Sequence, residues 1–160
     1  TIPFISRLAE HHETSQRIMG MQCIRLLVER TNLAMLAQMG LPDYFFRIVC
    51  ANLTWREPQL LLESFKVFKL LLSREVEIRL RYCDEVLFLL LTEMEAGPAE
   101  QRPTLIAMLA EVIELEGLAA SRFLSRILQA LERQAGDWEP VKEQLRLHCW
   151  PLLRVRQINL

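Results

Sequence analysis

The sequence predicts an all-α fold of stacked antiparallel helix pairs, and three observations predict it. Apolar residues make up 51% of the chain and Leu leads them, while Thr, Val and the aromatics are too sparse for a β-rich protein. The 5 Gly and 7 Pro stand mostly between periodic apolar stretches rather than inside them. Several of those stretches are apolar over far more than one stripe, so each needs neighbours on two sides. That width favours a two-layer α-solenoid of about eight or nine helices over a four-helix bundle, which stays as the alternative.

The elements follow in order from their start and stop signals. A short helix is expected over Ile2–Glu10, then a long one over Glu13–Glu29 with a wide apolar face from Ile18 to Val28. Thr31-Asn32 offers a stop and a new N-cap for a short helix Leu33–Met39. Gly40-Leu41-Pro42 ends it and opens Pro42–Asn52, since Gly suits the left-handed position after a helix and Pro the first turn of the next. A loop at Thr54-Trp55-Arg56-Glu57 leads to Pro58, where a fifth helix begins and runs to Ser73.

The sixth helix is expected over Glu77–Glu95, closed by Gly97-Pro98. A seventh covers Gln101–Leu115, with Pro103 in its first turn. Gly117 separates it from an eighth, Ala119–Gln134. Gly136-Asp137 separates that from a ninth, which starts near Trp138-Glu139-Pro140 and loses regularity around Trp150-Pro151. Short links between helices of this length make neighbours pack antiparallel. No strict repeat is visible, so periodicity alone names no repeat type.

The composition restricts chemistry as well as fold. With 19 Lys+Arg against 20 Asp+Glu, the chain lacks the basic excess of a typical nucleic-acid binder. Basic residues do cluster at Lys66, Lys69, Arg74, Arg79 and Arg81, but Glu75, Glu77, Asp84 and Glu85 interleave with them, which reads as ion pairing. A nucleic-acid-associated helical module stays open as the alternative from another class. No apolar run approaches the ~18 residues of a membrane span.

No two glycines stand closer than nineteen positions, which leaves no room for a phosphate-cradling loop. Cys23, Cys50, Cys83 and Cys149 are far apart, with no metal or dithiol spacing, and are expected to be small buried hydrophobes in a reducing compartment. His11-His12 lies between Glu10 and Glu13, yet adjacent helical residues diverge by ~100° and do not converge on one ion. His148-Cys149 fails as a nucleophile-base pair for the same reason. No catalytic, cofactor-binding or metal-ligating set is expected.

The stretch RYCDEVLFLLLTEME, residues 81–95, is the one place where a cysteine meets two carboxylates. With Cys83 at zero on a helical wheel, Val86, Leu87, Leu90, Leu91 and Met94 fall within about 80° of it, so Cys83 is core. Asp84 falls near ~100° and Glu85 near ~200°, so they diverge, and both gain from the dipole of the early turns. Phe88, near ~140°, puts a large aromatic on the polar side, where a neighbouring helix or a partner must cover it.

These residues also carry a resemblance. Cys83-Asp84-Glu85-Val86-Leu87, Leu89, Leu91-Thr92 and Met94-Glu95 are similar to the CDEVLxLxLTxME segment of the Tel-two-interacting protein two family. Arg17–Ile24 resembles the helix KILGxxCLxxIV of that family, and His148-Cys149-Trp150-Pro151 with Arg154-Val155 resembles its HTWPRV turn. Tyr82 stands where the family has His, and Cys149 where it has Thr.

The resemblance spans about Glu13 to Val155. It implies a noncatalytic HEAT/armadillo-like α-solenoid, a single helical-repeat domain over residues 1–160 from the C-terminal part of a longer chain. The implied role is that of a scaffold subunit of the Triple T (TTT) co-chaperone complex, which supports phosphatidylinositol-three-kinase-like kinases (PIKKs). The implied partners are the large HEAT-repeat subunit and the telomere-maintenance subunit, and indirectly the ninety-kilodalton heat-shock chaperone system. The implied compartment is the cytoplasm, with the nucleus second. Anchors at such interfaces concentrate in aromatics and Arg, which makes Trp55, Arg56, Phe88, Trp138, Trp150 and Arg154 the candidate partner-binding residues.

Overall fold

A computed structural model describes residues 2–74, 79–133 and 137–155, and within that range the side chains of Leu33, Arg74 and residues 150–155 are outside the described set. Every described element is helical, and no strand occurs among the described residues. The chain divides into two compact units, Thr1–Tyr82 and Cys83–Leu160.

The first unit holds α1 (Ile2–Ala9), α2 (Thr14–Arg30), α3 (Leu33–Gln38), α4 (Leu41–Leu53) and α5 (Pro58–Arg74). The expected signals operate at their ends. Asn32 caps α3, its Oδ1 accepting from the backbone N–H of Ala34 at 2.9 Å. Gly40 adopts a left-handed φ of 63° between α3 and α4, which a side chain would make strained. Helix α2 packs on both α1 and α5, and α4 packs on α5, which explains why these helices are apolar over wide arcs.

Gly20 lets α1 and α2 meet backbone to backbone: a Cβ placed there would lie 2.3 Å from the Ala9 nitrogen. Asn52 is buried at the same junction, its Nδ2 donating to the Ala9 carbonyl at 3.1 Å. At the far side Phe46 stacks face to face on Tyr82, centroids 3.8 Å apart, and tilts against Phe68. The Tyr82 hydroxyl donates to Asp43 Oδ1 at 2.9 Å, which satisfies its polar end while the ring is fully buried.

Helix α6 (Arg79–Ala96) contains the boundary between the units, after Tyr82. Its expected start at Glu77 lies outside the described residues. The second unit continues with a 3-10 turn at Ala99–Gln101, α7 (Arg102–Glu116), a 3-10 segment Gly117–Phe123, α8 (Leu124–Arg133) and α9 (Glu139–Val155). Pro103 sits in the first turn of α7, as its missing N–H requires. Cys83, Leu87, Leu90 and Leu91 of α6 are buried, as are Leu109, Val112 and Ile113 of α7 and Val141, Leu145 and Cys149 of α9, and α7 packs on α9.

Two expectations need correction. Residues 119–123, expected to open an α-helix, wind as 3-10 from Gly117, whose φ of 59° breaks the helical path; α8 begins only at Leu124. Within this stretch Arg122 Nε donates to the Ala119 carbonyl at 3.0 Å. The ninth helix does not lose regularity at Trp150-Pro151 but runs on to Val155. The fixed φ of Pro is itself helical, so a single Pro near a helix end removes one hydrogen bond without stopping the turn.

Candidate interaction surfaces

In the second unit, Asp84, Phe88, Thr92 and Glu95 lie along one edge of α6, at the spacing that aligns side chains turn by turn. Arg122 and Arg126, themselves four residues apart, reach this edge from the chain after α7. Arg122 Nη2 stands 2.7 Å from Asp84 Oδ1. Arg126 forks onto Glu95, with Nη2 3.1 Å from Oε2 and Nε 3.3 Å from Oε1, and Nη2 also donates to Thr92 Oγ1 at 3.0 Å. The Arg126 guanidinium lies over the ring of Phe88, 4.6 Å from its centroid.

Phe88 is thus an aromatic held in place by a cation that is itself ion-paired, and 53% of it remains exposed. Its position was legible from the helical wheel. Arg126 was not singled out, because nothing in the local sequence tells which distant cation meets an exposed ring. The result is a preordered apolar ring with a charged rim at the surface of α6.

In the first unit, Trp55 is 42% exposed and its ring lies 3.8 Å below the Arg17 guanidinium. The indole Nε1 donates to Thr14 Oγ1 at 3.3 Å. Arg17 in turn donates to the carbonyls of Glu10 and His11 and to Asn52 Oδ1, so one cation ties the α1–α2 link to the end of α4. Burial pushes the Arg17 guanidinium down from its ordinary value and Glu10 opposes that shift. Arg56 follows with a left-handed φ of 62°, a rare conformation for a residue with a Cβ. Trp55 and Arg56 are both at the surface, but the Trp55 ring already has a cation on one face.

The remaining expected anchors stand differently. Trp138 is 5% exposed and fills the second unit's interior, so it presents no face to a partner. A large indole at a helix start buries more apolar area than any neighbour it displaces, which outweighs its polar flanks in the sequence. The side chains of Trp150 and Arg154 lie outside the described residues. Among the clustered basic residues, Lys66 Nζ is 2.6 Å from Glu63 Oε1 and Arg81 Nη2 is 3.7 Å from Asp43 Oδ1, while the side chain of Arg74 is outside the described set.

One grouping was missed by sequence reading. Glu116, the last residue of α7, is 7% exposed and faces Asp84. Burial, the charge of Asp84 and a hydrogen bond to it push the Glu116 carboxyl up to about 8, against the pull of Arg122. Cys149 is fully buried, and burial followed by the charge of Glu116 pushes its thiol up, opposite to what a nucleophile requires. Asp84 and Glu85 diverge as expected, but Asp84 finds its carboxyl neighbour on another helix. The His11 and His12 rings lie tilted against each other with centroids 4.1 Å apart, and His11 Nδ1 accepts from the Glu13 N–H. Among the described residues no three His, Cys, Asp or Glu side chains are placed to share a metal ion, and no described helix is long and apolar enough to cross a membrane. No family model matches the chain, and neither does any curated protein or solved structure.

Proposed function

We propose that the chain is a noncatalytic interaction scaffold of the α-solenoid type, serving as a subunit of the TTT co-chaperone complex in support of PIKK folding and assembly. The all-helical architecture is compatible with that reading, and the observation that carries it is Phe88. A helix that otherwise fills a core leaves a large aromatic more than half exposed and fixes its orientation with Arg126. The partner names come from the resemblance of residues 17–24, 83–95 and 148–155 to the Tel-two-interacting protein two family. On this reading the large HEAT-repeat subunit covers the Phe88 edge, the telomere-maintenance subunit completes the complex, and the heat-shock chaperone system and the kinases associate indirectly. The work is done in the cytoplasm or the nucleus.

An affinity pull-down of the tagged chain from cell extract, read by mass spectrometry, tests the assignment. The TTT subunits are expected to co-purify with the wild type and to fall at least tenfold with a folded Phe88→Asp variant, the equivalent of losing ~1.4 kcal/mol of binding. Recovery of the chain without those subunits would sink the family reading. Equal recovery with wild type and Phe88→Asp would leave the complex standing and remove Phe88 as its anchor.

A further inference from the structure

We propose that Met19 on α2 and the Met35–Met39 pair on α3 form a reversible, peroxide-responsive modification site. A hydroperoxide adds one oxygen to each exposed thioether there, while the fold and the other three methionines stay intact. All 6 methionines and 4 cysteines lie among the described residues, and their sulfur atoms fall into distinct groups. Met19, Met35 and Met39 are 52% to 57% exposed, whereas Met21, Met94 and Met108 are buried. Cys23 and Cys50 are half-buried, and Cys83 and Cys149 are buried. The three outer thioethers therefore belong to the most accessible sulfur-bearing residues of the chain, and access decides which methionine an oxidant in water reaches.

Helix geometry sets this arrangement. Residues two apart on a helix point ~200° from each other, so Met19 faces out while Met21 turns into the junction of α1, α2 and α4. There the Met21 sulfur also accepts from Asn52 Nδ2 at 3.2 Å. Met35 and Met39 stand four residues apart on one edge of α3, and Leu36 between them turns inward and is buried. In the reaction the thioether sulfur attacks the outer oxygen of the peroxide. The S–O bond forms, the O–O bond breaks, and a proton moves onto the leaving oxygen, which departs as water when the oxidant is hydrogen peroxide. Sulfur gives up two electrons and the peroxide accepts them. The sulfoxide is polar, so the outer edges of α2 and α3 change from apolar to polar while the residues that fill the core are unchanged. A methionine sulfoxide reductase reverses the change, releasing the oxygen as water while two thiols become a disulfide.

Timed exposure of the intact chain to hydrogen peroxide, read by peptide-mapping mass spectrometry, tests the site. No proton leaves a thioether, so the reaction runs at about pH 5, where the thiolate that cysteine oxidation needs is scarce. Met19, Met35 and Met39 are expected to gain one oxygen each at least about tenfold faster than Met21, Met94 and Met108, which react only through opening of the fold. In denaturant the six rates are expected to converge. A native rate at Met21 equal to that at Met19 would overturn the proposal, and so would the same ranking persisting in denaturant. The chain carrying the three oxygens is expected to keep its fold, with a thermal midpoint lowered by less than about 5 °C. It is also expected to lose those oxygens to a methionine sulfoxide reductase without being unfolded first. A collapse of the midpoint, or oxygens that the reductase removes only after unfolding, would make the change a lesion and overturn the proposal as well.

Discussion

Arg126 places its guanidinium 4.6 Å from the centre of the Phe88 ring while its Nη2 and Nε are bonded to α6, through Glu95 and Thr92. The ring is therefore oriented before any partner arrives, and the contact itself is weak. An exposed cation–π pair contributes about 0.5–1 kcal/mol, so Phe88→Ala is expected to lower stability by no more than that in chemical denaturation. A loss of partner capture in the same variant then reports a lost contact and not a lost fold. Arg126→Gln is expected to weaken capture less than Phe88→Ala, because it frees the ring without removing it. Stronger loss with Arg126→Gln would make the cation, and not the ring, the anchor.

Gly20→Ala sets helix propensity against helix packing. In an exposed helix the change stabilises by up to about 1 kcal/mol. Here the new Cβ would lie 2.3 Å from the Ala9 nitrogen and 2.5 Å from its Cα, and backbone cannot step aside as a flexible side chain can. The expected result is a net loss of about 1–3 kcal/mol, read as a lower thermal midpoint. Gly40→Ala is the control: nothing stands within 4 Å of its Cβ position, so only the φ of 63° opposes it and the loss should be the smaller of the two. A stabilised Gly20→Ala would mean that α1 does not hold its place on α2.

How far the sequence disclosed this arrangement depends on the range of the interaction concerned. Cys83 in the core, Asp84 and Glu85 diverging and Phe88 outward all follow from the ~100° step of one helix, and the structure places them so. Asn32 and Gly40 were legible because caps act within a few residues. Trp138 stood among the candidate anchors by residue type alone, and its burial to 5% exposure is set by packing that the local sequence does not express. The pairing of Glu116 with Asp84, the seat of Arg126 and the stack of Phe46 on Tyr82 join residues 30 or more positions apart, and single-sequence periodicity carries no term for them. The division after Tyr82 was hidden for another reason: it falls inside α6, where no Gly or Pro marks it.

Asn52 is a buried amide with three roles, donating to the Ala9 carbonyl and toward the Met21 sulfur while accepting from Arg17. Asn52→Leu would leave the carbonyl and the guanidinium without that partner in a site sealed by α1, α2 and α4, an expected cost of about 1–3 kcal/mol for the orphaned groups. Because Arg17 also holds Trp55, tryptophan fluorescence offers a second readout, with the Trp55 environment expected to become wetter. A double variant with Arg17→Met should cost less than the sum of the two single changes, since each removes a partner the other needs. Strict additivity would show that the two side chains act separately.

Stability should fall as pH rises through neutrality, a consequence of Glu116. Its folded-state carboxyl is raised from an ordinary 4.5 to about 8, so the folded protein holds a proton that the unfolded chain has already released. Below about 4.5 both states are protonated and the stabilisation is fully present; it is lost progressively up to about 8 and is flat beyond. The limiting slope is about 1.4 kcal/mol per pH unit. A total on the order of a few kcal/mol is the expected scale. Glu116→Gln keeps a donor toward Asp84 and removes the titration. Denaturation midpoints at pH 5, 6.5 and 8 should therefore decline for the wild type and hold level for the variant, which becomes the more stable protein at pH 8. A wild type that gains stability across this window would show that Glu116 is ionised in the fold and that Arg122, not a proton, balances the pair.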